Sequence, residues 1–215
     1  MKDIGNRYEI SSLTNDKVKL INSLHHRKYR RQHNLFVAEG FRICREAAEN
    51  GWEIRYLLYD NLNIDTHIIE NLINEVLCLG ADVIGVTSEI LSKISHKENP
   101  QNVLCVIDQK WSNLPTIIKD KTFVALETVR DPGNLGTILR TMDGVGATDC
   151  ILLDECTDPF SYESVRASMG AIFNVNIIAS SSENFLKWKS RHKISLIGTS
   201  LINSTDYTKT NWQLP

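Results

Sequence analysis

Leu126-Glu127-Thr128-Val129-Arg130-Asp131-Pro132-Gly133-Asn134-Leu135-Gly136-Thr137-Ile138-Leu139-Arg140-Thr141 is the stretch on which the reading of this chain turns. It starts as the end of an apolar strand, Thr122 to Leu126, and passes through an Asp-Pro-Gly turn. A helix is then predicted over Asn134 to Gly144, with Asn134 as the N-cap that satisfies free backbone donors. At about 100° per residue, Leu135, Ile138, Leu139 and Met142 share one face, while Asn134, Thr137, Arg140 and Thr141 gather on another. The first face is core. The second presents an arginine, two hydroxyls and an amide beside a glycine turn that admits close approach of a ligand. A capped surface helix with a solvent-facing arginine would show the same spacing.

Two phosphate-binding motifs can be tested on this loop. A Walker A loop needs a lysine after its last glycine, and none follows Gly136. A dinucleotide fingerprint needs three spaced glycines, of which only Gly133 and Gly136 are present, although Asp154 stands where a ribose-binding acid would. That partial match keeps a nucleotide-cofactor oxidoreductase as an alternative.

Outward from the loop, the second half continues with strands at Cys150 to Leu153, Val175 to Ala179 and Ile194 to Ile197. Helices are predicted at Tyr162 to Phe173, with a core stripe of Val165, Met169 and Ile172, and at 183–191. Four short apolar strands separated by helices imply a parallel sheet, with ligands held where strands end and helices begin. The first half alternates in the same way. Asn15 or Asp16 caps a helix, followed by strands at Leu35 to Ala38, Ile54 to Tyr59, Val83 to Val86 and Asn102 to Ile107, with helices at Phe41 to Glu49, 66–79 and 88–95. Residues 108–119 lack a period and contain Pro115. The division is therefore 1–108, a linker at 109–119, and 120–215.

The chain has 215 residues, 42% of them hydrophobic and 23% charged, which disfavours wholesale disorder and coiled coil. It has no apolar run of membrane-spanning length and no apolar leader, so a cytoplasmic location without membrane attachment is expected. Its five cysteines lack a C-x-x-C pair or a nearby histidine doublet, and neither a disulfide framework nor a metal site is expected. The net charge of -2 conceals an asymmetry: ten Lys and Arg against four acids give residues 1–45 a charge of +6, leaving -8 for the rest. Within the basic front, His25-His26-Arg27-Lys28-Tyr29-Arg30-Arg31-Gln32-His33 interleaves cations with an aromatic ring. This pattern suits a phosphate backbone and a stacked base, and it also suits a solvated helix end.

Asp131 to Thr141, Asp158-Pro159 and Val165-Arg166-Ala167-Ser168-Met169-Gly170-Ala171-Ile172-Phe173 together resemble the SpoU/TrmH branch of the SPOUT RNA methyltransferases. Ile10-Ser11-Ser12-Leu13 to Arg27, Phe36-Val37-Ala38-Glu39-Gly40 and Asn99-Pro100-Gln101 resemble the ribosomal-protein-like substrate-binding domain that many members carry first. The resemblance implies a small α/β domain followed by a parallel-sheet α/β-knot domain. It further implies transfer of a methyl group from S-adenosylmethionine to a ribose 2′-hydroxyl, most often in ribosomal RNA, by a homodimer. By position, Asn134 and Arg140 match the catalytic asparagine and arginine of the first family motif, and Arg166 a second arginine near the site. Arg27, Lys28, Arg30 and Arg31 are then the RNA-binding candidates, together with Arg166. Because arginine stays protonated, the role expected of Arg140 is to bind and polarise the target ribose or its phosphate rather than to act as a free base.

Two further family motifs, one of Gly-Asn-Glu type and one of Pro-Met-x-Gly followed by Ser-Leu-Asn type, do not occur before Pro215. The methyltransferase domain is therefore expected to be incomplete at its C-terminus. Only Thr199, Ser200 and Leu201 match a cofactor-proximal loop, and a catalytically inactive RNA-binding remnant is the other alternative.

Overall fold

The computed structural model describes residues 4–63, 66–117, 121–199 and 204–210. The first half runs β1 (Arg7–Ile10), α1 (Asp16–Ser23), α2 (Arg27–His33), β2 (Leu35–Glu39), α3 (Phe41–Glu49), β3 (Ile54–Asp60), α4 (Thr66–Cys78), β4 (Asp82–Val86), α5 (Ser88–Ser95) and β5 (Val103–Asp108). These strands form one mixed sheet in the order β1-β4-β3-β5-β2. Pairing is parallel for β1 with β4 and for β4 with β3, and antiparallel for β5 with both β3 and β2. Asn15 caps α1 by accepting from the Lys17 N–H at 2.9 Å.

The second half contributes β6 (Phe123–Glu127), α6 (Pro132–Gly144), β7 (Asp149–Leu153), α7 (Tyr162–Ser168), β8 (Asn176–Ser180) and α8 (Ser182–Arg191). Strands β6, β7 and β8 pair in that order, all parallel. The fourth strand expected at Ile194 to Ile197 is not formed among the described residues. Ile194 packs under the sheet, but Leu196 and Ile197 are exposed, so the apolar run lacks the ladder partner and burial that make a strand.

The helix expected over Tyr162 to Phe173 is also broken. Met169 takes the left-handed conformation, φ 54°, and Gly170 follows at φ 102°, after which Ala171–Phe173 makes one 3₁₀ turn. The bend turns Ile172 and Phe173 into the core and leaves Met169 exposed, so Met169 is not part of the expected stripe. β1 had no sequence signal because a four-residue edge strand with Arg7 and Glu9 has too little alternation to register.

A single apolar cluster fills the space between the sheets. Phe36 and Trp52 from the first half meet Phe160 and Phe173 from the second, with ring centroids 4.9 Å apart for Phe36 and Phe160 and 5.2 Å for Trp52 and Phe173. The Trp52 indole N–H donates to the Phe173 carbonyl at 3.1 Å, so this buried polar group is satisfied across the boundary. The segment read as a linker is pinned as well. Gln109 donates to the Leu35 carbonyl at 3.2 Å, Trp111 stands edge-on to Phe160, and the Ser112 N–H donates to Ile177 on the outer edge of β8 at 2.8 Å.

Cys44, Cys105, Cys150 and Cys156 are buried free thiols; burial, aided by neighbouring Cys156, pushes Cys150 up to about 12, so it stays protonated as a small hydrophobe. Among the described residues no helix is long and apolar enough to cross a membrane, and no group of three or more His, Cys, Asp or Glu side chains is placed to hold a metal ion.

Candidate functional site

The polypeptide leaves the carboxyl end of β6 through Thr128, which adopts φ 56°, and turns into α6. The cap of that helix is Asp131, not Asn134. Its carboxylate accepts from the Asn134 N–H at 2.6 Å, and Pro132 occupies the first turn, where its missing N–H costs nothing and its fixed φ suits the helix. The helix thus begins two residues earlier than expected. Asn134 is lifted into the first turn, exposed, and among the described residues its side-chain amide has no hydrogen-bond partner.

Arg140 is exposed further along α6, with no ion pair among the described residues. Six residues separate it from Asn134, a rise of about 9 Å and a rotation of about 120°. Thr137 and Thr141 donate back to the carbonyls of Gly133 and Thr137 at 2.9 and 3.0 Å, which leaves their hydroxyl oxygens as acceptors toward a ligand. Leu135, Leu139 and Met142 are buried as their spacing requires.

Gly136 serves packing rather than ligand approach. A Cβ there would lie 2.4 Å from the Ser164 carbonyl oxygen and 2.6 Å from the Ala167 Cβ, so only glycine lets α7 cross α6 this closely. Ser164, Ala167 and Ser168 are thereby turned toward α6. Tyr162, Val165, Arg166 and Met169 fall on the opposite side of α7 and line a cavity of about 490 Å³ against β2 and the start of α3. Arg166 accordingly faces this cleft and is not brought onto the α6 polar face.

The basic run divides in the same residue-specific way. Arg27, Lys28 and Arg31 are exposed on α2, and the Lys28 ammonium sits 5.8 Å from the centroid of the half-exposed Tyr29 ring. Arg30 is buried, which corrects its expected role on the RNA face. Its Nε and Nη2 donate to Asp158 Oδ2 at 2.9 and 2.8 Å, and its Nη1 to the carbonyls of Leu24 and His25 at 2.8 and 2.7 Å. Buried and with four of its five N–H donors engaged, it holds α2 to the second half and is not presented to phosphate. Composition could not separate Arg30 from its neighbours, because its partner lies 128 residues away.

Thr199 is exposed in the segment after α8, while Ser200 and Leu201 lie outside the described residues. Around Thr199 the backbone of residues 196–199 forms no hydrogen bonds among the described residues, and a Cβ on Gly198 would meet nothing within 4 Å. The backbone N–H and C=O groups there are without internal partners and open to a ligand.

Residues 15–105 match the MRM3-like substrate binding domain, and residues 121–215 the SpoU rRNA Methylase family. The crystal structure of an rRNA methyltransferase from Sinorhizobium meliloti superposes with a TM-score of 0.89 at 38% identity, covering 96% of this chain and 78% of that one. The chain belongs to the SpoU rRNA methylase family. A second Sinorhizobium meliloti structure, with AdoMet bound, matches with a TM-score of 0.79 at 39% identity over 86% of this chain and 69% of that one. The 23S rRNA (guanosine(2553)-2′-O)-methyltransferase RlmP of Bacillus subtilis is 27% identical over 93% of this chain and 76% of its own length.

Membership in the SpoU family displaces the oxidoreductase alternative, and Asp154 gives the local reason. Its carboxylate is engaged by the Ser182 hydroxyl and, at 3.1 Å, by the Ser182 N–H at the start of α8; these two hydrogen bonds hold it below the usual carboxylate range. It supports a helix start and is not presented to a ribose.

Proposed function

We propose that this chain transfers a methyl group from S-adenosylmethionine to a ribose 2′-hydroxyl of ribosomal RNA. The observation that carries the reading is the likeness over nearly the whole chain to an rRNA methyltransferase structure, coupled to an α6 that follows a parallel strand and exposes Asn134 in its first turn and Arg140 further along. When bound, S-adenosylmethionine would supply an electrophilic methyl group on a sulfonium, and Thr199 is the described residue that would help to hold it.

The chain's own residues prepare the nucleophile. A ribose hydroxyl must lose its proton as it attacks, so the site must favour developing negative charge on that oxygen. Arg140, permanently cationic and unpaired among the described residues, orients the ribose or its phosphate and stabilises that charge. The free Asn134 amide offers a donor and an acceptor about one and two-thirds turns away, suited to fixing the ribose in register. Arg27, Lys28 and Arg31 on α2 supply sequence-independent attraction for the RNA backbone, with Tyr29 as a stacking ring.

The proposed division of labour assigns residues 1–108 to RNA binding and 120–215 to methyl transfer, joined by 109–119. A homodimer goes with this reading. Among the described residues β6 is paired on one side only, and Leu186, Leu196 and Ile197 are exposed apolar side chains in this half. Light scattering at a dimer mass is the expected result, and cell fractionation tests the proposed cytoplasmic location. The activity itself is tested with labelled S-adenosylmethionine and a 23S rRNA transcript. Incorporation that is sensitive to Arg140→Ala and localised to a 2′-oxygen is expected. RNA binding without any incorporation would overturn the enzymatic reading in favour of an RNA-binding protein.

A further inference from the structure

The cleft between the two halves is not part of the α6 site. Its volume of about 490 Å³ lies within the ~300–1,000 Å³ typical of small-molecule sites and can enclose one nucleotide. One wall is the amino end of α3, where Gly40, at φ 111°, makes no side-chain cap and leaves the first backbone N–H groups of the helix toward the cavity. Arg42 beside it and Arg166 on the facing helix are exposed cations without ion pairs among the described residues.

The acid in the cleft is already neutralised. Glu39 accepts from the Lys97 ammonium at 2.8 Å and from the Gln101 N–H at 2.7 Å, so the net field in the cavity is positive. The remaining lining suits a base rather than an inorganic ion alone: Phe41, Val165 and Met169 offer apolar contact. Tyr162 carries the Lys97 ammonium 5.1 Å from its ring centroid, and its hydroxyl is buried without a hydrogen-bond partner among the described residues.

We propose that this cleft holds one unpaired nucleotide of the RNA substrate, with its phosphate at the uncapped start of α3 between Arg42 and Arg166 and its base against the apolar wall. The inference rests on the RNA methyltransferase reading and adds to it a second point of recognition. Because the cleft lies across α7 from α6, about one helix diameter or ~10 Å away, it takes a nucleotide flanking the methylated one and not the reacting residue itself. The start of α3 thus contributes to choosing which ribose reaches Arg140.

The test is photo-crosslinking of the wild-type chain to a 23S rRNA transcript carrying 4-thiouridine, with peptide mapping, alongside the KM for that transcript in Arg42→Glu. Crosslinks to residues 40–43 or 162–169, and a KM raised about ten-fold or more with S-adenosylmethionine affinity held, are expected. RNA that is bound and methylated with crosslinks confined to α2 and α6 overturns this inference alone. RNA that neither binds nor is methylated overturns the proposed function as well. Saturable binding of uridine 5′-monophosphate without any RNA crosslink in the cleft makes it a mononucleotide site and likewise overturns the inference.

Discussion

Arg140 has no anionic partner among the described residues, whereas Arg30 has one so close that it serves structure alone. That contrast dictates what substitution at each should do. In the proposed role Arg140 is a charge-assisted donor to a developing oxyanion, so kcat of Arg140→Ala should fall by ~10²–10³, as for loss of one such donor. Arg140→Lys keeps the charge but loses the planar fork; at least a ten-fold loss is expected, and full activity in the lysine variant would show that a point charge suffices. His25 sets a pH dependence of stability. Burial holds its pKa below the ordinary value, opposed by the hydrogen bond to the Ile94 carbonyl, with His96, stacked on it at 3.9 Å, pushing further down. The folded protein therefore resists a proton that the unfolded chain accepts near pH ~6.5, and this contribution is lost as pH falls from there toward the lowered folded value. Thermal melts between about pH 7 and about pH 5 should fall less steeply in His25→Gln than in the wild type, and equal slopes would remove His25 from the account.

At the scale of elements, the crossing of α6 on α7 depends on Gly136. Its absent Cβ would meet a carbonyl and a neighbouring Cβ rather than a movable side-chain tip. Gly136→Ala should force the helices apart at a cost of ~1–3 kcal/mol, lowering Tm by several degrees, measured by calorimetry. On α2, reversing Arg27, Lys28 and Arg31 together while sparing Arg30 should weaken RNA binding and reduce its salt slope by ~2, and an unchanged slope would take α2 off the RNA face. What the sequence made legible here was local chemistry. Asp-Pro-Gly before an apolar stripe announced the α6 turn, and alternating strands and helices announced both sheets. What it hid was decided at a distance. Pro132 shifted the cap from Asn134 to Asp131, the run at Ile194 to Ile197 found no ladder partner, and Gly170 let the chain bend where a helix period continued.

At the scale of the whole molecule, the two halves share one core and one buried ion pair, so they should not unfold separately. The Arg30 and Asp158 side chains are only 5% and 8% exposed, and Asp158 also accepts from the Phe160 N–H at 2.9 Å, fixing the ring that meets Phe36. Removing one partner leaves the other charge buried and unpaired, a change that typically costs ~3–5 kcal/mol, whereas replacing both with apolar side chains avoids that penalty. Arg30→Met alone should therefore lower Tm substantially, and adding Asp158→Leu should restore part of the loss, because the stranded carboxylate is gone. Calorimetry of the wild type should show one transition, with Arg30→Met broadening or splitting it as the interface loosens. Two transitions in the wild type would mean that the Phe36, Trp52, Phe160 and Phe173 cluster does not couple the halves. The same pair then bears on function: the proposed nucleotide cleft is lined from both halves, so a substitution that loosens Arg30 from Asp158 should weaken RNA binding without altering a residue of the proposed RNA face. An Arg30→Met variant that melts early yet binds a 23S rRNA transcript with wild-type affinity at low temperature would separate stability from recognition and remove the ion pair from any part in holding the cleft.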